Sequence, residues 1–345
     1  MQMKTKVLLL LICMSLTYQK GFCAVFSSLT KSGTTAAQFL KIQVGSRAIG
    51  MGSAYVALAN DASSVYWNPA GLTNIKQKGA VSFIHTNWLA DTDFNVAIAA
   101  LRVGTFGVLG LSFTSLSMPD MKVRTEFEPE GTGEYFSAMD LALGLSYARS
   151  LTDRFSLGFT GKYIRQQIWH MTASAIAFDI GILFKTDFKW LTLGMSISNF
   201  GPKMHYTGKD AFVNYDFTPD QWGDNENIFA NLQTDEWNLP LLFRFGVAIE
   251  ILKQDINRLS AGIEARHPND NTENLSFGLE YGFKERFFLR GGYQALLEDE
   301  SEKGLTLGIG LVYYLTRSAP FHFDYAYADW GRLTNTHRFS VEIHF

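Results

Sequence analysis

"LSFGLEYGF", residues 275–283, sets Leu275, Phe277, Leu279, Tyr281 and Phe283 on one side of an extended chain and Ser276, Gly278, Glu280 and Gly282 on the other. Successive side chains of a β-strand point to opposite faces, so a period of two means a strand with one apolar face and one small or polar face. "LTLGIGLVY", residues 305–313, repeats the pattern with Leu305, Leu307, Ile309, Leu311 and Tyr313 against Thr306, Gly308, Gly310 and Val312. The alternation begins near residue 80 and predicts strands at 80–88, 93–102, 105–116, 136–148, 154–167, 173–186, 190–199, 240–252, 257–267, 273–283, 286–296, 303–315, 319–328 and 334–345. That makes fourteen, an even number.

A soluble sandwich or propeller would also alternate, and the connections separate the cases. In an outer-membrane barrel with both termini in the periplasm, odd connections face outward and are free to be long, while even ones are tight turns. The long connections here are the third, 117–135, and the seventh, 200–239. The even ones are short throughout: Val103-Gly104, Arg149 to Asp153, Asp187 to Lys189, Lys253 to Ile256, Lys284-Glu285 and Thr316 to Ser318. A soluble fold has no reason to sort its loops by parity. The last strand alternates Phe339, Val341, Ile343 and Phe345 with Arg338, Ser340, Glu342 and His344, leaving an aromatic final residue of the kind barrel-insertion machinery reads. The fold expected is all-β: a transmembrane antiparallel β-barrel of about 14 strands over residues 80–345, with residues 24–79 as an N-terminal hatch inside the lumen.

Composition fits. Of 345 residues, 47% are hydrophobic and 14% aromatic, with 28 Phe and 14 Tyr, while charged residues are 18% against the roughly 25% of ordinary soluble domains. A net charge of -3 leaves no electrostatic footprint for nucleic acid. Lys4 and Lys6, the apolar run Val7 to Leu16 and the small-residue site Gly21-Phe22-Cys23-Ala24 read as an export signal over residues 1–23. The run is shorter than the about 20 residues of a transmembrane helix. Both cysteines, Cys13 and Cys23, fall in that segment, so the mature chain is expected to have no thiol chemistry. Trp88, Tyr147, Trp169, Trp190, Tyr313, Tyr314 and Trp330 sit near strand ends, where interfacial aromatic girdles form.

The face opposite the apolar one is crowded with Gly144, Ser146, Ser156, Gly158, Gly194, Ser196, Gly246, Gly262, Ser276, Gly278, Gly282, Gly308 and Gly310. Small inward residues leave room for water, ligand or another piece of the chain. Among them stand lumen charges of both signs, Lys162, Arg244, Arg266 and Arg290 against Asp179, Glu250, Glu264, Glu280, Asp324 and Glu342. They read either as a network tying a plug in place or as a polar lining for a solute. The segment before the first strand is rich in Gly and Ala, suited to lie close against other backbone. Within it "DASSVYWNPAGL" ends in Asn68-Pro69-Ala70-Gly71, a type I turn by residue type, reversing the chain towards the first strand. Tyr66 and Trp67, with Asp61 nearby, are a bulky stopper or a packing anchor.

The stretch "TTAAQFLKIQVGSRAIGMGSAYVALANDASSVYWNPAGL", residues 34–72, closely resembles the N-terminal signature of the PorV/PorQ family, a branch of the FadL-like fatty-acid transporter group. That group has fourteen strands and an N-terminal hatch, and its Asn-Pro-Ala box corresponds to Asn68, Pro69 and Ala70. The resemblance implies one of two activities. PorV-type members serve type IX secretion, receiving cargo through its C-terminal domain and passing it to a sortase-type attachment complex. Fatty-acid transporters pass small hydrophobic molecules through the hatch and sideways into the membrane.

For the first activity the outward loops are the candidate surface. Loop 117–135 carries Asp120, Glu126, Glu128, Glu130 and Glu134 against Lys122 and Arg124; loop 200–239 carries Tyr206, Phe212, Tyr215, Phe217, Trp222, Phe229 and Trp237 among acidic residues. Aromatics among charges suit docking. For the second, a pocket is expected between hatch and outer lumen. Catalytic, cofactor and metal sites are not expected: His85, His170, His205, His267, His322, His337 and His344 are scattered with no hydrolase spacing. The expected setting is the bacterial outer membrane, with outer-membrane lipid as a partner.

Overall fold

The computed structural model describes residues 31–188, 190–216, 228–298, 301–316 and 319–345. The export signal expected at 1–23 and the aromatics Phe217 and Trp222 lie outside the described residues. The alternating segments form strands β1 (Gly79–Asn87), β2 (Asp93–Val103), β3 (Gly107–Ser117), β4 (Ala138–Ser150), β5 (Phe155–Ile168), β6 (Met171–Lys185) and β7 (Leu191–Phe200). They continue as β8 (Leu242–Lys253), β9 (Asn257–Pro268), β10 (Asn274–Phe283), β11 (Phe287–Leu296), β12 (Leu305–Thr316), β13 (Ala319–Asp329) and β14 (Asn335–His344). Each pairs antiparallel with its neighbours in sequence, and β1 pairs with β14 from Ala80 opposite His344 to Asn87 opposite His337, closing the sheet. Closure leaves no edge strand, so every ladder amide has a partner, as a strand structure in lipid requires.

The alternation has the sense the sequence implies. Outward residues are exposed and apolar, Phe83 60%, Leu145 64% and Leu289 61% exposed, forming a band that only lipid can cover. Inward residues are buried. Both ends of the barrel chain lie at the rim of the even connections, the inner rim by the orientation rule for such barrels. The two long connections stand at the opposite, outer rim and carry short hairpins of their own: Met121–Lys122 with Tyr135–Phe136, and Phe212–Tyr215 with Ile228–Asn231.

The aromatic girdle is only partly as expected. Tyr147 and Tyr313 keep the outward face, but Trp88 and Trp330 turn into the outer mouth, where they meet edge to face at 5.1 Å. Tyr314, beside a register shift in β12, lines the inner mouth. A ring just past the end of a strand is free of the strand's in-out alternation.

Residues 33–78 pack against the inward face of the wall. The segment starts at the outer rim, where Thr35 bridges Asn238, and α1 (Ser46–Gly50) lies on β11 to β14. The chain then runs along the wall, turns at residues 58–61 near the inner mouth, rises through α2 (Ser64–Trp67) and descends to β1. Its course is written in the wall's glycines. A Cβ on Gly278 would fall on Met51, on Gly292 on Gly52, on Gly262 on Ala54, on Gly194 on Val56 and Ala57, and on Gly158 and Gly181 on Pro69. Backbone lies directly against backbone at each, and no other residue permits that approach.

Candidate functional site: the lumen and the outer mouth

The pivot of the lumen is Trp67. It is fully buried, its indole N–H donates to the Val44 carbonyl at 2.7 Å, and its ring meets Tyr55 and Tyr66 edge to face at 6.0 and 5.2 Å. The Arg244 and Arg266 guanidinium carbons lie 5.3 and 5.5 Å from its centroid. Such cations are attracted by the ring quadrupole and held in reach of one carboxylate. Glu264 accepts Arg266 Nε at 2.8 Å, faces Arg244 Nε at 3.8 Å, and also accepts the backbone N–H groups of Tyr55 and Val56 at 2.9 and 2.8 Å. Arg266 in turn donates to the Ser53 carbonyl. One wall carboxylate thus fixes both the wall cations and the segment's backbone.

Towards the inner rim Glu280 does the same with side chains: it binds Arg47 and Arg290 at 2.8 Å and Arg258 at 3.0 Å, and Arg290 continues to Asp324. Lys162 pairs with Asp179 at 2.8 Å. Glu342 accepts the Ala62 N–H and meets His344 at 2.7 Å. The ten expected lumen charges therefore face the interior or its inner mouth, and those that bond the segment do so through Arg47, Ser53, Tyr55, Val56 and Ala62. Glu250, near the inner end of β8, pairs with Lys253 and lines an inner-mouth cavity shared with Ala57, Leu58 and Asn60 of the segment.

The Asn68–Gly71 stretch has the expected i to i+3 bond, Gly71 N–H to Asn68 carbonyl at 2.8 Å, but it opens a 3-10 helix, Pro69–Asn74, in place of a simple reversal. Asn68 caps that helix by accepting the Ala70 N–H, and its amide donates to the carbonyls of Val56 and of Ile182 in β6, stitching segment to wall. Gly71 is required by closeness: a Cβ there would press on the Ala59 carbonyl. Asp61 accepts the Tyr55 and Ser63 hydroxyls.

At the outer rim the segment is moored by Asp270, which accepts from Thr35, Gln38 and Lys41 at 2.7, 3.0 and 2.8 Å. Burial works against its charge, yet these bonds outweigh burial and hold the carboxyl below its ordinary range. Beside this mooring an open cavity of about 360 Å³ is lined by Phe39, Ile42, Trp88, Leu116, Leu242 and Trp330. Below Phe39 and Ile42 lies an enclosed cavity of about 40 Å³, apolar at Phe94 and Ile98 and reaching Tyr66 and the Lys162–Asp179 pair.

The profile of the family described as "Type IX secretion system protein PorV" matches residues 27–223. The chain belongs to the PorV family. No curated protein matches it in sequence. Solved structures resemble it in fold. The CymD monoaromatic hydrocarbon channel is 12% identical, with a TM-score of 0.55 over 88% of this chain and 96% of that one. The Ralstonia pickettii toluene transporter TbuX is 11% identical, with 0.54 over 88% and 98%. A Pseudomonas aeruginosa FadL homologue is 12% identical, with 0.51 over 88% and 98%. Family and fold together make the chain an outer-membrane protein of transport type.

Of the residues expected to dock partners on this PorV-family barrel, Phe212, Tyr215 and Trp237 are 45%, 53% and 45% exposed, and Phe212 packs on Phe229 at 4.8 Å across its hairpin. Tyr206 instead leans on the core and bonds Thr234. Phe127, Met121 and Tyr135 of the other long loop are exposed as well. Sequence reasoning passed over four charges of this site. Arg258 and Arg338 share the inward parity of Glu264 and Glu342 and were legible by it. Arg47 and Asp270 carried no signal, since their partners lie 233 and 229 residues away.

Proposed function

We propose that this PorV-family barrel docks exported cargo proteins on its outward loops as part of type IX secretion, with residues 24–79 as a hatch that keeps the lumen shut. Residues 1–23 serve as its export signal. The observation that carries this reading is the exposed apolar surface of the long loops: Phe212, Tyr215, Ile228 and Phe229 on one hairpin and Met121, Phe127 and Tyr135 on the other. Apolar groups left in water on a loop, among acidic neighbours, suit a protein partner. The partner class is the C-terminal domain of secreted cargo, delivered to a sortase-type attachment complex. Deleting residues 206–236 is expected to abolish cargo association while the barrel remains heat-modifiable on gels; cargo bound at full strength by the deletion places docking elsewhere.

A second reading rests on the outer-mouth cavity. Its volume of about 360 Å³ and aromatic lining suit a small hydrophobic molecule, the class named for the toluene transporter and the monoaromatic hydrocarbon channel. Saturable binding of toluene or a fatty acid to the folded barrel, lost on Trp88→Ala, supports transport; a broad panel with no binding rejects it.

A further inference from the structure

Arg338 projects from β14 into the outer half of the lumen and is fully buried, and none of its three guanidinium nitrogens has a hydrogen-bond partner. No described carboxylate pairs with it. Its guanidinium carbon lies 5.3 Å over the Trp88 ring, which supplies attraction but no hydrogen-bond acceptor. Two more donors in the same place are equally unmet. The Thr86 hydroxyl, on the residue paired with Arg338 across the β1–β14 ladder, is buried without a partner. So is the Tyr66 hydroxyl, which lies within electrostatic reach of Arg338 and has Arg244 5.0 Å over its ring.

Buried polar groups in folded proteins are nearly always satisfied, and a buried charge more strictly than a neutral group. Elsewhere in this lumen Glu264 accepts two backbone N–H groups and Arg266 and faces Arg244 at 3.8 Å, and Glu280 binds three cations. The Arg244 Nε and the Ser64 and Ser276 hydroxyls are also buried without a hydrogen bond, but each is an isolated atom and not a whole side-chain charge. Around Arg338 there is a fixed positive charge and two unbonded hydroxyls, but no described carboxylate paired with it. The enclosed cavity is lined by Tyr66, by Phe94, which pairs with Thr86 across β1–β2, and by the Lys162–Asp179 ion pair, while Arg338 and Thr86 themselves lie outside its lining. Its volume of about 40 Å³ has room for about three water-sized groups, the bulk of a carboxylate or a phosphate head.

We propose that Arg338, Tyr66 and Thr86 form a closed anion hole that binds a compact oxyanion, a carboxylate or phosphate group. Water alone supplies acceptors but leaves the charge uncompensated; an oxyanion supplies both, and a guanidinium matches it with two parallel bonds. The group comes either as a free ion or as the head of a molecule whose apolar body lies in the outer-mouth cavity. Phe39 and Ile42 line both cavities and form the partition between them. This site is independent of cargo docking, whose residues lie on the loops above.

The test is calorimetric titration of the full barrel in nonionic detergent with sodium phosphate, acetate and hexanoate. Saturable binding of at least one at one site per barrel is expected. Tyr66→Phe, which keeps the ring and removes one donor, should weaken it about tenfold, and Arg338→Met should abolish it. Binding by phosphate or acetate identifies a free ion; binding by hexanoate alone identifies a head group carried on an apolar body. Independently of ligand, Arg338→Met in anion-depleted buffer should unfold at a higher urea concentration than the parent, since it removes an unpaired buried charge. No binding by any of the three, or binding undiminished in Arg338→Met, overturns the proposal.

Discussion

Gly291 and Gly292 are neighbours in β11 on opposite faces of the wall. A Cβ on Gly292 would strike the backbone of Met51 and Gly52, whereas one on Gly291 meets nothing within 4 Å. Gly292→Ala should therefore cost about 1–3 kcal/mol as an overpacked contact, while Gly291→Ala stays within about 0.5 kcal/mol, read from urea unfolding in detergent. Glu264→Gln makes a charge test at the same scale. It leaves Arg244 and Arg266 buried without their shared anion, and a loss of about 3–5 kcal/mol is expected in the same assay. Inward glycines were legible from parity, and so were the lumen charges, because lipid on one side of the wall forces polar groups to the other. Which charge pairs with which was not legible. Arg47 meets Glu280 only because the segment's path brings it there, and nothing local to either residue encodes that path.

At the scale of elements, the strands were readable to within two residues, since lipid and lumen impose a period of two along the whole wall. The alternation blurs at Gly104, Gly107 and Gly110, and for a physical reason. Gly104 and Gly107 hold positive φ in a tight turn, and Gly110 faces Val65 and Leu72 of the segment. The segment's own pieces, α1, α2 and the 3-10 helix at Pro69, are too short for periodicity to mark and are set by contact with the wall. Its mooring at Asp270 is sensitive to acid. The folded carboxyl titrates below its unfolded value of about 3.9, so the stabilisation is full above that value and fades as pH falls through the lower folded value. Pepsin cleavage between residues 31 and 41 should rise below about pH 4 and stay flat above it over the enzyme's working range. Asp270→Asn should admit trypsin at Lys41 at neutral pH, where the parent resists.

The described residues form a closed barrel with the N-terminal segment packed on its inward face and with exposed apolar side chains on its two long outer loops. Both proposed sites of exchange, the long loops and the cavity of about 360 Å³, are at the outer mouth. The most direct measurement is a mild-detergent pull-down of the tagged protein from its native outer membrane, with bound proteins and lipids identified by mass spectrometry and the 206–236 deletion run beside it. The account predicts exported proteins sharing a C-terminal domain, or a sortase-type complex, retained by the parent and lost from the deletion. A lone barrel carrying a defined hydrophobic molecule, the same in parent and deletion, would contradict it.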